Sequence, residues 1–199
     1  MIRPAPTTPF PTGADPSTRT TADYRFVTRW HIRASIEAVW EALSHAERWP
    51  QWWQGLREVV ELRAGQTERI GCVQRFTWQG WLPYTLVVDM QVTRMERPRV
   101  LESLASGALE GMGRWTLSEE DGGTAVRYDW QVRTTKRWMN RLTPVARAVF
   151  RWNHDVVMRR GARGLKRLLE TTSIAGLRLE GCGDTRQKGL LDQTDGEDA

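Results

Sequence analysis

The stretch that decides the fold runs from Ser35 to Trp53 and reads SIEAVWEALSHAERWPQWW. Its apolar residues recur at the i, i+3, i+4 and i+7 spacing of one helical face, which predicts a short helix packed through that face. Ser35 stands at the N-cap position. Glu37 lies in the first turn, where its negative charge interacts favourably with the helix dipole and stabilises the helix. The members of the apolar face are Ile36, Val39, Trp40 and Leu43.

Three more tryptophans follow this helix at the point where the chain turns into a strand. Pro50 predicts the end of a second, one-turn helix, with Trp49 before it and Trp52 and Trp53 after it. Large rings at such a turn either fill a core or close one end of a cavity.

Composition limits the class of protein. The 199 residues suit one domain with a sizeable core, and no 18-residue apolar run or signal-peptide pattern occurs, since Arg3 and several prolines interrupt the start. We expect a soluble, cytoplasmic protein. Cys72 and Cys182 lie far apart, so free thiols are expected and neither a disulfide nor a zinc site.

The basic residues are distributed over the whole chain. The formal net charge is +5, but the arginines are spread along the sequence and form no block. We therefore expect no nucleic-acid partner. A transient contact between this basic surface and a membrane or another protein stays open as a third hypothesis.

Composition also divides the chain into three parts. Residues 1–21 are rich in Pro, Thr and Ala, and residues 172–199 are Gly-rich and acidic towards the end, so both are expected to be disordered. Residues 22–171 form one patterned region without a repeat or a linker, which predicts a single domain.

Alternation with a period of two residues predicts seven strands in this region. They are expected over residues 24–32, 56–62, 70–78, 84–94, 100–104, 109–117 and 124–134, in an antiparallel meander separated by Gly- and Pro-containing turns. The clearest alternation predicts one dry and one wet sheet face, with Leu86, Val88, Met90, Val92, Val126, Tyr128, Trp130 and Val132 on the dry side.

A long amphipathic helix is predicted after the last strand. It is expected to begin near Lys136 to Leu142, to restart at Pro144 and to run to about Glu170. Its apolar face is predicted to include Gly161 and Gly164, which indicate close backbone packing or space left for another group. The other members of that face are Val145, Val149, Phe150, Val156, Val157 and Leu168.

This order of elements is the helix-grip arrangement, an α+β fold in which a curved antiparallel sheet wraps around a long C-terminal helix. Four motifs, AVW at 38–40, RWPQWW at 48–53, GMGRW at 111–115 and NHDVVMRRG at 153–161, resemble the START-like (SRPBCC) superfamily, in particular its polyketide cyclase/dehydrase and lipid-transport branch. The similarity covers about residues 22–170. It implies a deep apolar cavity between the sheet and the C-terminal helix, in a superfamily that includes ligand carriers, quinone-binding proteins and aromatase/cyclases.

Eleven tryptophans as a set suit such a cavity to a flat hydrophobic ligand, although packing in a solid core is the commoner role of any single one. Polar groups on dry faces are a sharper signal, because a buried amide needs a partner. Asn153 and Gln74 could each anchor a ligand or bond to backbone or a trapped water. The expected ligand-binding residues are Trp53, Gln74, Phe76, Trp78, Leu86, Val88, Trp115, Tyr128, Trp130, Val149, Asn153 and Val156.

The sequence leaves two main functions open. The first is binding of a small hydrophobic ligand such as a lipid, a quinone or an aromatic polyketide-like molecule. The alternative is a cyclase or dehydratase that uses Tyr128, Arg160 and His154 as acid/base groups, although His154 also suits a half-buried structural role. No catalytic motif, cofactor motif or metal-ligand spacing is found, and the pattern leaves the oligomeric state open.

Overall fold

A computed structural model describes residues 23–79, 85–134 and 143–180. These residues form one seven-stranded antiparallel sheet with the strand order β1-β7-β6-β5-β4-β3-β2. The strands are β1 (Asp23–Ile32), β2 (Leu56–Arg63), β3 (Val73–Gln79), β4 (Thr85–Glu96), β5 (Val100–Gly107), β6 (Leu109–Glu120) and β7 (Gly123–Thr134), and the helices are α1 (Ile36–Ser44), α2 (Trp49–Trp52) and α3 (Thr143–Glu180). The predicted helix-grip fold is confirmed.

Helix α1 forms as its sequence predicts. The Ser35 hydroxyl accepts a hydrogen bond from the Ala38 N–H at 3.3 Å, and the predicted apolar face is buried. Thr124 of β7 donates its hydroxyl hydrogen to the carbonyl oxygen of Ala34 at 2.8 Å, which joins the start of α1 to the last strand. The sequence predicted that Pro50 ends α2, but Pro50 lies in the first turn of this helix. A backbone N–H at this position would have no partner inside the helix, so its absence in proline removes no hydrogen bond.

The two faces of the sheet differ as the alternation predicts. In β7, Val126, Trp130 and Val132 are buried. Between them Arg127 and Asp129 form a bidentate pair on the opposite face, with both N–O distances at 2.7 Å. The inner face is therefore available for packing against α1 and α3, and the outer face carries charged residues that pair with one another.

Several element boundaries differ from the sequence pattern, three of them as follows. Strand β3 begins at Val73 and not at Ile70, because Thr67–Arg69 form a 3-10 turn before it. Strand β5 continues to Gly107, beyond the predicted end at Leu104. Helix α3 ends at Glu180, ten residues beyond the predicted end near Glu170, and residues 171–180 contain no proline that would stop it.

Some predictions fall on other parts of the chain. The helix start near Lys136 to Leu142, the disorder of residues 1–21 and the disorder of residues 181–199 lie outside the described residues. Residues 172–180, which the sequence assigned to the disordered tail, are helical here. The domain limits of 22–171 stay a prediction.

Helix α3 touches the tryptophan-rich turn through its glycines. A Cβ atom at Gly161 would overlap the indole ring of Trp53, and one at Gly164 would overlap the backbone carbonyl of Trp52. The Trp53 Nε1–H donates a hydrogen bond to the carbonyl oxygen of Val157 at 2.9 Å. The two glycines therefore permit close backbone packing, which was one of the two roles that the sequence left open for them.

We predict that Gly161→Ala destabilises the protein although alanine favours a helix by about 1 kcal/mol over glycine. The added methyl group has no space beside the Trp53 ring, and overpacking of this kind costs about 1–3 kcal/mol. Urea denaturation measures the change. Lys166→Ala, at an exposed position of the same helix, is the control and should change stability by less than about 0.5 kcal/mol. An unchanged or raised stability of Gly161→Ala would contradict this packing.

Candidate functional site

A cavity of about 160 Å³ lies between the inner face of the sheet and helix α3. Aromatic and aliphatic side chains supply most of its wall, which is the usual character of a small-molecule site. Nine of the twelve expected ligand-binding residues line it: Trp53, Gln74, Phe76, Trp78, Leu86, Val88, Tyr128, Trp130 and Asn153.

The other three expected residues do not line the cavity. Trp115 is buried, but its ring stacks on Tyr128 at 4.0 Å and also packs against Trp30, so it supports the wall from behind. Val149 is 37% exposed on the outer side of α3. Val156 also lies off the cavity lining, because α3 is rotated relative to the predicted apolar face.

The face that α3 presents to the cavity contains Asn153, which the sequence predicted, and four residues that were not among the expected ligand-binding residues. Its members follow the i, i+3, i+4, i+7 and i+8 positions of one helical stripe, but apolar residues on other sides of α3 kept the sequence from identifying this stripe alone. The members of the stripe are Phe150, Asn153, His154, Val157 and Met158. Met90 and Val92, which the sequence placed on the dry face of β4 but not among the ligand-binding residues, also line the cavity.

A glycine in β6 allows two aromatic rings of β7 to lie flat against the sheet. Gly113 is the register partner of Trp130, and a Cβ atom at this position would stand 2.5 Å from the Tyr128 hydroxyl oxygen and 2.8 Å from the Trp130 ring. A larger residue would push both rings into the cavity. Gly113 therefore sets the shape of this wall.

Three buried polar atoms of α3 at the cavity have no partner among the described residues. Asn153 Oδ1 and both ring nitrogens of His154 are buried, and no hydrogen-bond partner for them lies within the described residues. The His154 ring stacks on Phe26 with centroids 4.0 Å apart and an angle of 15° between the planes. This stacking fixes the orientation of the imidazole, which is 10% exposed.

Burial keeps two ionisable groups of the cavity, the His154 imidazole and the Tyr128 hydroxyl, neutral. Burial lowers the pKa of His154 to about 4, and the carboxylate of Asp155, 3.7 Å from Nδ1, opposes this shift only in part. Burial also raises the pKa of the Tyr128 hydroxyl far above its ordinary value. At neutral pH the site therefore presents an uncharged imidazole and an uncharged phenol.

One cationic side chain, that of Arg69, lines the cavity within the described part of the chain. Its guanidinium lies 3.5 Å from carboxylate oxygens of both Glu47 and Glu61. Cys72 beside it is a buried free thiol, and burial raises its pKa, so it stays protonated. The predicted free thiol is confirmed for Cys72, whereas Cys182 lies outside the described residues.

The three residues considered for acid/base chemistry are not brought together. Tyr128 and His154 both line the cavity, whereas Arg160 does not. His154 is more deeply buried than the half-buried structural role predicts.

Comparison with known proteins places the chain among START-like folds. The family model described as polyketide cyclase / dehydrase and lipid transport matches residues 23–170. No curated protein sequence matches significantly. Among the described residues, no helix combines the length and the apolar character of a membrane span.

Several solved structures share the fold at low sequence identity. A START superfamily protein from Mycobacterium smegmatis is 14% identical, with a TM-score of 0.61 over 74% of this chain and 98% of that chain. The Zhui aromatase/cyclase from Streptomyces sp. R1128 is 15% identical, with a TM-score of 0.60 over 75% and 94%. The di-domain ARO/CYC protein BexL from the BE-7585A biosynthetic pathway is 17% identical, with a TM-score of 0.61 over 74% of this chain. The match spans half the length of BexL.

We predict that His154 makes the protein less stable as the pH falls. The unfolded chain binds a proton at this residue near pH 6.5, whereas the folded chain resists it until about pH 4, so unfolding is favoured between these values. Between about pH 7.5 and pH 5 this residue should account for about 2 kcal/mol of lost stability. Urea denaturation at several pH values measures the loss.

Two variants separate the contribution of His154 to the pH dependence of stability from that of other titrating groups. His154→Phe should remove about 2 kcal/mol from the acid-induced loss. Asp155→Asn should make the pH dependence steeper, because it removes the charge that raises the His154 pKa. An identical pH dependence for the wild type and His154→Phe would show that the imidazole is not buried as described.

Proposed function

Since the chain belongs to the polyketide cyclase/dehydrase and lipid transport family, we propose that it binds a small hydrophobic ligand between the sheet and α3. The observation that carries this proposal is the cavity itself, which is lined by tryptophan, phenylalanine and aliphatic side chains. Apolar surface buried in such a cavity stabilises a complex by about 25 cal/mol per Å². The proposed contacts are the nine cavity-lining residues that the sequence predicts, together with Phe150, His154, Val157 and Met158.

The size of the cavity favours a compact ligand. An engineered apolar cavity of about 150 Å³ takes up benzene, and the cavity between the sheet and α3 measures about 160 Å³. Rigid indole rings such as those of Trp49, Trp53 and Trp130 form flat walls suited to stacking on a planar ligand. We therefore favour a ring-containing ligand over a long acyl chain.

Binding explains the polar groups of the site better than acid/base catalysis. A general base works best with a pKa near the operating pH. Burial moves the pKa of His154 down to about 4 and that of Tyr128 upward, so both shifts lead away from neutrality. Arg160, the third group considered for a cyclase or dehydratase, lies off the cavity. These groups suit hydrogen bonding to a bound molecule.

Two adjacent valines of α3 provide a matched test of the binding site. Val157 lines the cavity and Val156 does not. We predict that Val157→Phe fills part of the cavity and weakens the binding of p-xylene about tenfold or more, whereas Val156→Phe changes it little. Isothermal titration calorimetry measures the affinity, and p-xylene should also raise the melting temperature of the wild type by preferential binding to the folded state.

Two results would count against the proposal. Failure of both p-xylene and its hydroxyl analogue p-cresol to bind the wild type would show that the cavity is not a site for small ring-containing ligands. Equal losses of affinity in Val156→Phe and Val157→Phe would place the bound molecule elsewhere.

A further inference from the structure

The unpaired polar atoms of α3 carry information about the chemistry of the ligand. Asn153 Oδ1 and the two nitrogens of His154 are buried at the cavity without a partner in the described part of the chain. Leaving such atoms unpaired is unfavourable, and nearly all buried polar atoms in native proteins are hydrogen-bonded. Both residues line the cavity, so a ligand bound there is the candidate partner for these atoms.

The carboxylate of Asp155 favours a proton on one of the two nitrogens of His154. Asp155 Oδ1 lies 3.7 Å from Nδ1, beyond hydrogen-bond distance but close enough to favour a proton on that nitrogen. The neutral imidazole has one N–H, so a proton on Nδ1 leaves Nε2 with a lone pair that can accept a hydrogen bond. His154 Nε2 and Asn153 Oδ1 then both act as acceptors.

Two acceptors on one wall require donors on the ligand. We propose that this cavity selects an uncharged ring-containing ligand with a hydroxyl group, whose O–H donates a hydrogen bond to Asn153 Oδ1 or His154 Nε2. The inference rests on the proposed binding function and specifies the class of molecule: a phenol or a ring-bearing alcohol. Molecules that carry only acceptors, such as a carboxylate or a quinone, leave these two atoms unpaired.

The charge distribution agrees with an uncharged ligand. Of the described residues that line the cavity, Arg69 is the one permanent cation, and Glu47 and Glu61 both lie 3.5 Å from its guanidinium. A ligand carboxylate would have to compete with two protein carboxylates for this single guanidinium. Removing an anion from water without a new partner is strongly unfavourable.

The test compares three probes of nearly equal shape, p-cresol, p-xylene and p-toluate, by calorimetry at neutral pH. A hydroxyl group loses hydration on entering the cavity, so p-cresol should bind more weakly than p-xylene unless it finds an acceptor. We expect p-cresol to bind the wild type at least as tightly as p-xylene, and p-toluate to bind at least tenfold more weakly than either.

Substitutions of Asn153 and His154 test whether these two acceptors cause the tight binding of p-cresol. Asn153→Leu and His154→Phe should each weaken the binding of p-cresol about fivefold or more relative to the binding of p-xylene by the same variant. Val156→Ala, off the cavity, should preserve the preference of the wild type. Melting temperatures of the variants show that each one is folded.

A spectroscopic measurement on the wild type tests the proposal without substitution. Binding of p-cresol should move the ¹⁵N resonance of His154 Nε2 upfield, as expected when a pyridine-type nitrogen accepts a hydrogen bond, whereas p-xylene should not. A wild-type preference for p-xylene that neither variant alters would overturn the donor requirement and leave the binding function intact. Failure of all three probes to bind would overturn both.

Discussion

The contact between Trp53 and helix α3 fixes the geometry on which the site depends. The indole ring lies against Gly161, where no side chain intervenes, and its N–H bonds to the Val157 carbonyl oxygen at 2.9 Å. The ring contact and the hydrogen bond lie one helical turn apart, so together they fix the position of α3 along its axis and its rotation about that axis. That rotation turns His154 towards the cavity and Val149 away from it.

The same ring belongs to the tryptophan cluster at one end of the sheet. Trp53 has Trp49 at 5.0 Å, Trp78 at 5.5 Å and Trp30 at 5.7 Å between ring centroids. Tilted and edge-on arrangements of this kind add favourable contacts beyond the area that they bury. The Trp53 indole therefore contacts α3, packs in the core and lines the cavity. A change at this residue affects all three.

The cavity combines an apolar wall with a few buried acceptors, and this combination affects both stability and binding. Burial of the imidazole lowers the pKa of His154 to about 4, which costs stability in acid. The same burial keeps the ring neutral and able to accept a hydrogen bond at neutral pH. A group that weakens the empty protein can thus contribute selectivity when a ligand completes its hydrogen bonds.

The sequence by itself determined the secondary structure and the fold, because each strand of the meander has one polar and one apolar face and α1 carries an N-cap and a single apolar stripe. It also placed Tyr128, Trp130 and Val88 on the inner face, since a period of two leaves only two choices for each strand. For helix α3, the sequence did not determine which face lies towards the cavity. Apolar residues occur around much of its circumference, as Val149, Val156 and Val157 illustrate, so the pattern did not define one face. Only the tertiary structure decided which side faces the cavity, because Trp53 and Gly161, 108 positions apart in the chain, had to meet.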